Sequence, residues 1–442
     1  MSSCAELVEE EVSFVKPAAG AAGRRHGYLY LSSLDLYWRG TPYSRRLLFY
    51  DNVDDQDAMV AKLKSSLAQV LLPFYPAAGR LVSARPPAAY PARPSILCDG
   101  QGVEFIVAHV DAPLSLRHWA LFPSLARAYP PLHDVDPHVL PLLSIQVTKF
   151  LCGGLAIGIA YSNVLADGHS FWHLMNSWAE CARDEAISIQ PFHNREVFKV
   201  ENPSREGASQ LFPPTCNISI HENISPITRM PKVFHFSPLM INKIKSQAYE
   251  GHGAPNEASF SDYDVLCAFV WKSAISSQTP SKLDHSSTNI CVLGDMRFRM
   301  KPQLPRGYFG NSTIFAYASS SIQDMKEGSF GFISQQIHEA CKACNESRLW
   351  EIVSWLELHD NFFDAKKFPW MVADMNVVSS PKFKVYNVDF GWGKPIAMRP
   401  PQISNTRDMF LLPGRHGGID VCILWPTPLV NQLLHNFNEL ML

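Results

Sequence analysis

The residues best suited to chemistry lie in one short loop, and they are Asn163, Asp167 and Gly168. An asparagine amide donates and accepts hydrogen bonds, but it cannot take up a proton at neutral pH. An ionised aspartate only accepts hydrogen bonds, and a glycine lets the backbone turn tightly. These residue types make the loop suitable for orienting groups through hydrogen bonds.

Two regular elements are predicted to position this loop. Leu155 to Tyr161 is an apolar run, which is typical of a buried strand. After the loop, Phe171, Leu174, Met175 and Trp178 recur with the spacing of one helical face. A strand before the loop and a helix after it hold both of its ends still, and such loops often carry functional residues.

Several other segments have distinctive sequences. Asp389 to Gly393 reads Asp-Phe-Gly-Trp-Gly, Tyr308 to Ser312 reads Tyr-Phe-Gly-Asn-Ser, and Tyr75 to Leu81 reads Tyr-Pro-Ala-Ala-Gly-Arg-Leu. In their order and spacing, these segments resemble those of the plant BAHD acyltransferases. A single short motif would be a weak signal, whereas an ordered set that runs from Tyr28 to the end of the chain is specific.

Within this resemblance, the loop corresponds to the family signature His-x-x-x-Asp-Gly. Asp167 and Gly168 match the signature, and Asn163 stands where the family has its histidine. In the family, that histidine removes the proton of the acceptor as the acceptor attacks the thioester carbonyl of an acyl-CoA. Imidazole suits this role because its pKa lies near working pH. The sequence therefore combines a recognisable family pattern with an amide at the position of the base.

The resemblance implies an α/β protein with the two-domain chloramphenicol-acetyltransferase-like fold. Each domain is expected to be a mixed β-sheet flanked by helices, with a channel between the domains. We expect an N-terminal transferase domain at residues 1–190, a crossover segment rich in Pro, Ser and Asn at 191–230, and a C-terminal transferase domain at 231–442. The resemblance also implies acyl-CoA as co-substrate, a small-molecule acceptor, no bound cofactor and no metal.

Roles for individual residues follow from the same resemblance. Asp167 is expected to shape the loop and to pair with an arginine, and the expected partner is Arg297. Arg297 lies in the segment Gly294 to Met300, which resembles a family strand. The second signature is expected to brace the fold, and its residues are Asp389, Phe390, Gly391, Trp392 and Gly393.

The asparagine at position 163 leaves three functions open. The chain could be an acyltransferase with a weakened or relocated base, acting on an alcohol or amine of a plant specialised metabolite. It could be a lyase, because one member of the family cleaves isochorismoyl-glutamate towards salicylate and also has its histidine replaced. It could also bind a ligand or a partner without catalysis, since the retained segments could serve folding alone.

Other residues near the loop have simpler explanations than catalysis. His169 is a candidate for a relocated base, but a polar residue in the first turn of a helix explains it as well. His173 is expected at the surface or in the core of that helix, and His416 is expected in a solvated loop. Trp172 and Trp178 are expected to be core residues, because large aromatic side chains dominate buried contacts.

Composition limits the class of protein. The 442 residues are 46% hydrophobic and 18% charged, which fits a soluble protein with large cores. The formal net charge of −2 gives no basic field to attract nucleic acid or an acidic membrane. No apolar run reaches the length of about 18 residues that suggests a membrane span, and the acidic N-terminal segment does not resemble a signal peptide. We therefore expect a cytoplasmic monomer.

The ten cysteines are scattered singly and are predicted to be reduced core residues. Cys341 and Cys344 form a C-x-x-C pattern within a helical stretch, but no second pair completes a zinc site. Core packing is therefore favoured over a metal or redox site.

Overall fold

The computed structural model describes the following residues: 6–19, 27–51, 53–82, 93–116, 122–132, 136, 138–203, 229–250, 260–276, 287–358, 373–401 and 408–441. The strands, numbered along the chain, are β1 (Leu7–Val15), β2 (Tyr28–Tyr30), β3 (Ser44–Tyr50), β4 (Arg80–Val82), β5 (Ser95–Leu97), β6 (Val103–Val110), β7 (Leu143–Phe150), β8 (Leu155–Tyr161), β9 (Arg229–Phe236), β10 (Ser287–Asp295), β11 (Thr313–Ser321), β12 (Met375–Val378), β13 (Ala397–Arg399), β14 (Asp408–Pro413) and β15 (Ile419–Pro426). The α-helices are α1 (Ser33–Leu36), α2 (Gln56–Val70), α3 (Gly168–Ala182), α4 (Pro238–Tyr249), α5 (Asp262–Ser276), α6 (Ile322–Glu327), α7 (Phe330–Ala343), α8 (Glu346–Glu357) and α9 (Thr427–Met441).

The chain divides into two units, and each contains one six-stranded sheet. The first unit comprises Met1–Glu201, Leu304–Ser312 and Phe383–Gln402, and the second comprises Asn202–Gln303, Thr313–Lys382 and Ile403–Leu442. The first unit therefore includes two segments from late in the chain. The sequence did not predict that these two segments belong to the first unit. The predicted domain boundaries at 190 and 231 stay a prediction. Much of the predicted crossover, residues 204–228, lies outside the described residues.

The sheet of the first unit has the strand order β1-β6-β7-β8-β3-β13. Its only parallel pair is β6 with β7, and its other neighbours are antiparallel. Every residue of β8 is buried, as expected for an apolar strand inside a sheet. β7 and β8 form a hairpin, and Gly153 in its turn has the positive φ of +79° that glycine tolerates. A second, three-stranded sheet has the order β2-β5-β4.

Helix α3 buries an aromatic face in the first unit. Phe171, Trp172 and Trp178 are buried, which confirms that the two tryptophans are core residues. Trp178 Nε1 donates to Ser66 Oγ of α2 at 3.0 Å, so its one polar atom is satisfied inside the core. The helical periodicity of the sequence therefore predicted both the element and its buried face.

The second unit has its own mixed sheet with the order β11-β10-β12-β14-β15-β9. β12 runs parallel to both β10 and β14, and the remaining pairs are antiparallel. Ile419, Val421, Ile423 and Trp425 alternate along β15, which has a neighbour on each side, and all four are buried. Every helix that the structure describes is too short or too polar to cross a lipid bilayer.

One strand prediction is wrong in part. The segment Gly294 to Met300 was expected to be a strand, but β10 ends at Asp295 and the chain turns there. The Oδ1 atom of Asp295 accepts a hydrogen bond from the backbone N–H of Arg297 at 3.0 Å. Such a local bond from an aspartate to the backbone two residues later competes with a strand ladder and forms a turn.

Candidate active-site loop

The loop of Asn163 connects β8 to α3, as predicted, and the amide of Asn163 is held on three sides. Its Nδ2 donates to Thr41 Oγ1 at 2.9 Å and to the backbone oxygen of Pro42 at 3.0 Å. Its Oδ1 accepts a hydrogen bond from Ser44 Oγ at 2.7 Å. The residue itself is half-buried. The start of β3 and the residues just before it therefore fix the side chain at position 163.

Tyr161 is the titratable group closest in sequence before Asn163, and it is no substitute for a base. Its side chain hydrogen-bonds to Ser44, and its ring stacks on Phe171 with 4.3 Å between centroids. Burial raises the pKa of Tyr161 above its usual value. The phenol therefore keeps its proton at neutral pH, and Ser44 joins a neutral phenol to a neutral amide.

Asp167 uses both carboxylate oxygens to hold backbone. Oδ1 accepts from the N–H of Ser170 at 2.9 Å and so caps the N-terminus of α3. Oδ2 accepts from the N–H of Ser312 at 3.0 Å. The residue is buried. Asp167 thus links the loop to the start of α3 and to Ser312, and its role in the family signature stays a prediction.

The predicted partner of Asp167, Arg297, belongs to the second unit. Arg297 is fully buried, so it is not a surface charge, and its Nη1 lies 3.0 Å from Asp295 Oδ1. The pairing of Arg297 with Asp167 stays a prediction.

Gly168 lies where a side chain would meet close packing. It is the first residue of α3 and is not among the glycines with positive φ, so a tight turn does not demand it. A Cβ atom at this position would instead lie 2.6 Å from the ring of Phe383. The absence of a side chain therefore allows Phe383 to approach the start of the helix.

A buried polar cluster, Asp35, Arg195 and Asn311, holds the loop by its backbone. Arg195 Nη1 donates to the oxygen of Val164 at 3.1 Å, and Nη2 donates to the oxygen of Leu165 at 2.7 Å. The same guanidinium lies 3.3 Å from Asp35 Oδ1, and neither side chain is exposed. Two consecutive carbonyls of the loop thus bind one arginine.

Asn311 completes this cluster. It donates to Asp35 Oδ1 from its backbone N–H at 2.9 Å and from Nδ2 at 3.0 Å. The same Nδ2 also donates to the backbone oxygen of Asn163 at 2.9 Å. The carbonyls of residues 163, 164 and 165 are therefore all bound by this cluster. Sequence analysis had noticed the segment of Asn311 but missed Asp35 and Arg195, since no local pattern marks them.

The histidines considered from the sequence occupy structural positions. His169 is half-buried in the first turn of α3. His173 Nε2 lies 2.8 Å from the oxygen of Ile189, and its ring contacts Phe74 edge to face. His416 is exposed in the turn between β14 and β15, as expected. The side chain of Asn163 has no histidine among its hydrogen-bond partners in the described part of the chain.

The segment from Asp389 to Gly393 forms a tight turn. Asp389 Oδ1 accepts from the N–H groups of Gly391 at 2.8 Å and Gly393 at 3.0 Å, and both glycines have φ values above +100°. Phe390 is fully buried against Trp178, with 4.8 Å between ring centroids. The ring of Trp392 stacks on that of Phe390. These contacts are those of a braced turn.

Eight cysteines lie in the described residues, and six of them are buried. Burial raises the pKa of Cys344 to about 11, so its thiol is protonated at neutral pH. Arg299 Nη1 donates to the carbonyls of Cys341 and Cys344, which caps the C-terminus of α7. Among the residues that the structure describes, no cluster of His, Cys, Asp and Glu could hold a metal ion. Cys4 and Cys216 lie outside the described residues.

Comparisons with known proteins define the class of this chain. The model of the Transferase family matches residues 8–440. The BAHD acyltransferase DCR of Arabidopsis thaliana is 31% identical over 439 residues, covering 92% of this chain and 86% of that protein. Shikimate O-hydroxycinnamoyltransferase of Nicotiana tabacum is 28% identical over 417 residues, covering 91% of this chain and 92% of that protein. The chain therefore belongs to the Transferase family, and within it to the BAHD acyltransferases.

Solved structures agree with this assignment at the level of the fold. Vinorine synthase matches with a TM-score of 0.72 and 21% identity, over 98% of both chains. F. graminearum TRI101, complexed with coenzyme A and T-2 mycotoxin, matches with a TM-score of 0.78 and 16% identity, over 93% of this chain and 98% of that chain. The predicted α/β fold with two sheet-containing domains is therefore confirmed.

Proposed function

We propose that this protein transfers an acyl group from an acyl-CoA to an alcohol or amine of a plant specialised metabolite. The reaction takes place at the loop of Asn163 without an imidazole base. The names of the relatives support a hydroxycinnamoyl-CoA as donor, and coenzyme A in the complex of TRI101 supports a CoA thioester as co-substrate.

The bracing of the loop carries this proposal. Asp167 binds two backbone N–H groups, and the cluster of Asp35, Arg195 and Asn311 binds three consecutive carbonyls. Buried polar groups and ions are costly unless their partners are well placed. A protein that used this fold only for packing would have no need of so many buried polar groups behind one loop. This bracing supports a loop that is held in one shape for a reaction.

The energetics permit turnover without the base. A general base contributes roughly 10²–10⁴ in rate, which is about 3–5 kcal/mol at 1.36 kcal/mol for each tenfold change. Holding two substrates in the right geometry contributes on the order of 7–11 kcal/mol. Proximity therefore exceeds the lost contribution, and Asn163 acts by orienting the acceptor.

We further infer that the turn from Asp389 to Gly393 serves folding. Its carboxylate is occupied by two N–H groups of the turn itself, and Phe390 is buried among aromatic rings. Both contacts lie within the turn or the core, which supports a role in folding.

The proposal is tested by following CoA release from hydroxycinnamoyl-CoA thioesters with a panel of alcohols and amines. We expect acceptor-dependent CoA release by the wild type. We expect Asn163→His to raise kcat/KM with neutral alcohols by about tenfold or more, because a correctly placed imidazole supplies the missing base. The gain should follow deprotonation of the imidazole at about pH 6.5.

Asn242→His is a matched control, since Asn242 is an exposed residue of α4 in the second unit. It should leave the rates unchanged. Breakdown of a single substrate without CoA would refute acyl transfer and indicate a lyase. Ligand binding without any product would refute catalysis.

A further inference from the structure

The amide of Asn163 is held by a short segment, Thr41 to Ser44. The first, second and fourth residues of this segment bind the amide. The third residue, Tyr43, has a buried side chain, and its hydroxyl donates to the backbone oxygen of Pro141 at 3.0 Å. Tyr43 therefore anchors in the core the segment that fixes Asn163.

The ring of Tyr43 packs against a second tyrosine, Tyr129. The two ring centroids are 4.9 Å apart, with 33° between the ring planes. The hydroxyl of Tyr129 donates to Glu104 Oε2. Burial, and after it this hydrogen bond, raises the pKa of Tyr129, so the phenol remains a donor at neutral pH. The ring that supports Tyr43 is thus held by the carboxylate of Glu104.

Glu104 is a buried carboxylate with three hydrogen-bond donors. Besides Tyr129, Ser144 Oγ donates to Oε2 at 2.7 Å, and Arg127 Nη1 donates to Oε1 at 3.2 Å. Arg127 is the charged member of this set. Removing the cation from a buried ion pair is strongly destabilising, because the remaining charge is left uncompensated. Loss of Arg127 should therefore rearrange the neutral donors around Glu104.

Strand β1 joins these residues at two points. Glu9 accepts hydrogen bonds from Arg127 Nη2 with both carboxylate oxygens, at 2.7 and 2.8 Å. The guanidinium carbon of Arg80 lies 5.6 Å from the centroid of the Phe14 ring, and Arg80 also interacts electrostatically with Glu104. We define the carboxylate network as Glu9, Arg127, Glu104 and Tyr129.

We propose that the carboxylate network positions the amide of Asn163 through Tyr43. Arg127 is then a positioning residue for the loop, although it binds Glu9 and Glu104 rather than Asn163. Close-packed interiors transmit strain, so a shift of the Tyr129 ring passes to the ring of Tyr43. The inference rests on the proposed acyl transfer for its kinetic test alone, because the network and the amide belong to one unit and can be observed without substrate.

The amide protons of Asn163 report its position directly. One donates to Thr41 Oγ1 and the other to the backbone oxygen of Pro42, so their chemical shifts respond to both hydrogen bonds. The experiment records NMR spectra of the full-length protein labelled with ¹⁵N-asparagine. The resonances are assigned by their absence from the spectrum of Asn163→His.

We expect both side-chain resonances of Asn163 to shift by more than their line width in Arg127→Met. The physical reason is the loss of the charged donor of Glu104, which releases the Tyr129 ring from its present position. Tyr129→Phe is the milder variant, because it removes one hydroxyl and keeps the ring that packs on Tyr43. It should also shift the resonances.

Lys64→Met is a matched control. Lys64 binds Glu11 of the same strand at 2.7 Å, and the two ion pairs are similarly exposed, with 26% and 50% for Lys64 and Glu11 against 30% and 44% for Arg127 and Glu9. In the described part of the chain, Lys64 contacts Glu11 and the ring of Phe105 but no member of the carboxylate network. The Asn163 resonances should stay in place in this variant.

The kinetic test follows CoA release at saturating substrate with an acceptor that the wild type uses. In Arg127→Met, kcat should fall by about tenfold or more, because a misplacement of about 1 Å can cost about 100-fold in rate. Arg127→Lys keeps the charge and should recover part of this loss. Lys64→Met should keep kcat within about twofold.

Each result supports or overturns the inference. Asn163 resonances that do not move in Arg127→Met and Tyr129→Phe would overturn it. Shifts of equal size in Lys64→Met would also overturn it, since they would follow from any loosening of β1. If Arg127→Met does not fold, Tyr129→Phe decides. Absence of CoA release by the wild type would refute the proposed function, and the resonances would still decide the inference.

Discussion

A single buried guanidinium, that of Arg195, fixes the loop of Asn163 through the backbone of the loop. It binds two consecutive carbonyls and an aspartate that is itself fully buried. The planar fork of arginine suits this geometry, whereas a lysine presents a single point charge. Arg195 is therefore a positioning residue, because it binds the backbone of the loop and has no contact with the side chain of Asn163.

Replacement of Arg195 should be severe. In Arg195→Met, Asp35 stays buried without its cation and the carbonyls of Val164 and Leu165 lose their donors. We expect the free energy of unfolding to fall by about 3–5 kcal/mol. Arg195→Lys keeps the charge and should lose less. Urea denaturation followed by tryptophan fluorescence measures both changes.

Arg415→Met is a matched control, since Arg415 is exposed in a turn. It should change stability by no more than about 0.5 kcal/mol. An equally small effect of Arg195→Met would contradict the role assigned to the cluster.

Only some of the residues that form this site could be identified from the sequence. Asn163 and Asp167 were found because their loop lies between a strand and a helix with strong patterns and corresponds to a family signature. Arg195 was not, because it lies in a segment rich in Pro, Ser and Asn that was interpreted as a crossover. Its partner Asp35 and the Asn163 partners Thr41 and Ser44 are distant in sequence. Contacts of this kind depend on tertiary structure, which local patterns do not encode.

At the scale of elements, the start of α3 is set by close packing. Asp167 caps the helix, and the next residue, Gly168, leaves space for the ring of Phe383. Alanine is intrinsically the better helix former by roughly 1 kcal/mol. The glycine therefore reflects tertiary contact rather than helix propensity.

Gly168→Ala should destabilise the protein despite this propensity. The new Cβ would lie 2.6 Å from the ring of Phe383, which forces the ring or the helix to move. Overpacking of this type costs about 1–3 kcal/mol, so we expect a lower urea midpoint and reduced activity. In a Phe383→Ala background, the same change should be neutral or stabilising. A destabilisation of equal size in both backgrounds would argue against the packing explanation.

Elements were predicted well wherever the signal is local. The apolar run of β8 and the helical spacing in α3 both gave the correct element, because both are strongly buried. The segment after Asp295 was expected to be a strand because it resembles a family strand, but the side chain of Asp295 accepts a bond from the backbone of Arg297 and the strand ends there. Side-chain competition of this kind leaves no trace in hydrophobic periodicity.

At the scale of the whole molecule, the first unit is assembled from three separate stretches of chain. β13 pairs with β3, and Phe390 packs against Trp178. Asn311 and Ser312 supply donors to Asp35 and Asp167. Sequence order could not reveal this, since both late segments lie within the region predicted as the second domain.

A fragment of residues 1–201 should therefore fail to fold cooperatively. It lacks the strand that extends its sheet and the donors that satisfy two buried carboxylates, and uncompensated buried charges are strongly destabilising. We expect weak near-UV circular dichroism and rapid digestion by thermolysin, compared with the intact protein. A sharp urea transition of the isolated fragment would show that the late segments are dispensable.

The late arrival of β13 also bears on how the protein is made. During synthesis at about 5–20 residues per second, the ribosome adds the whole stretch between β8 and β13 before β3 can meet its last neighbour. For roughly tens of seconds, the nascent chain presents a bare, apolar strand edge. Efficient production in a foreign host should therefore depend on chaperones that shield such edges, and slower translation at low temperature should not by itself replace them.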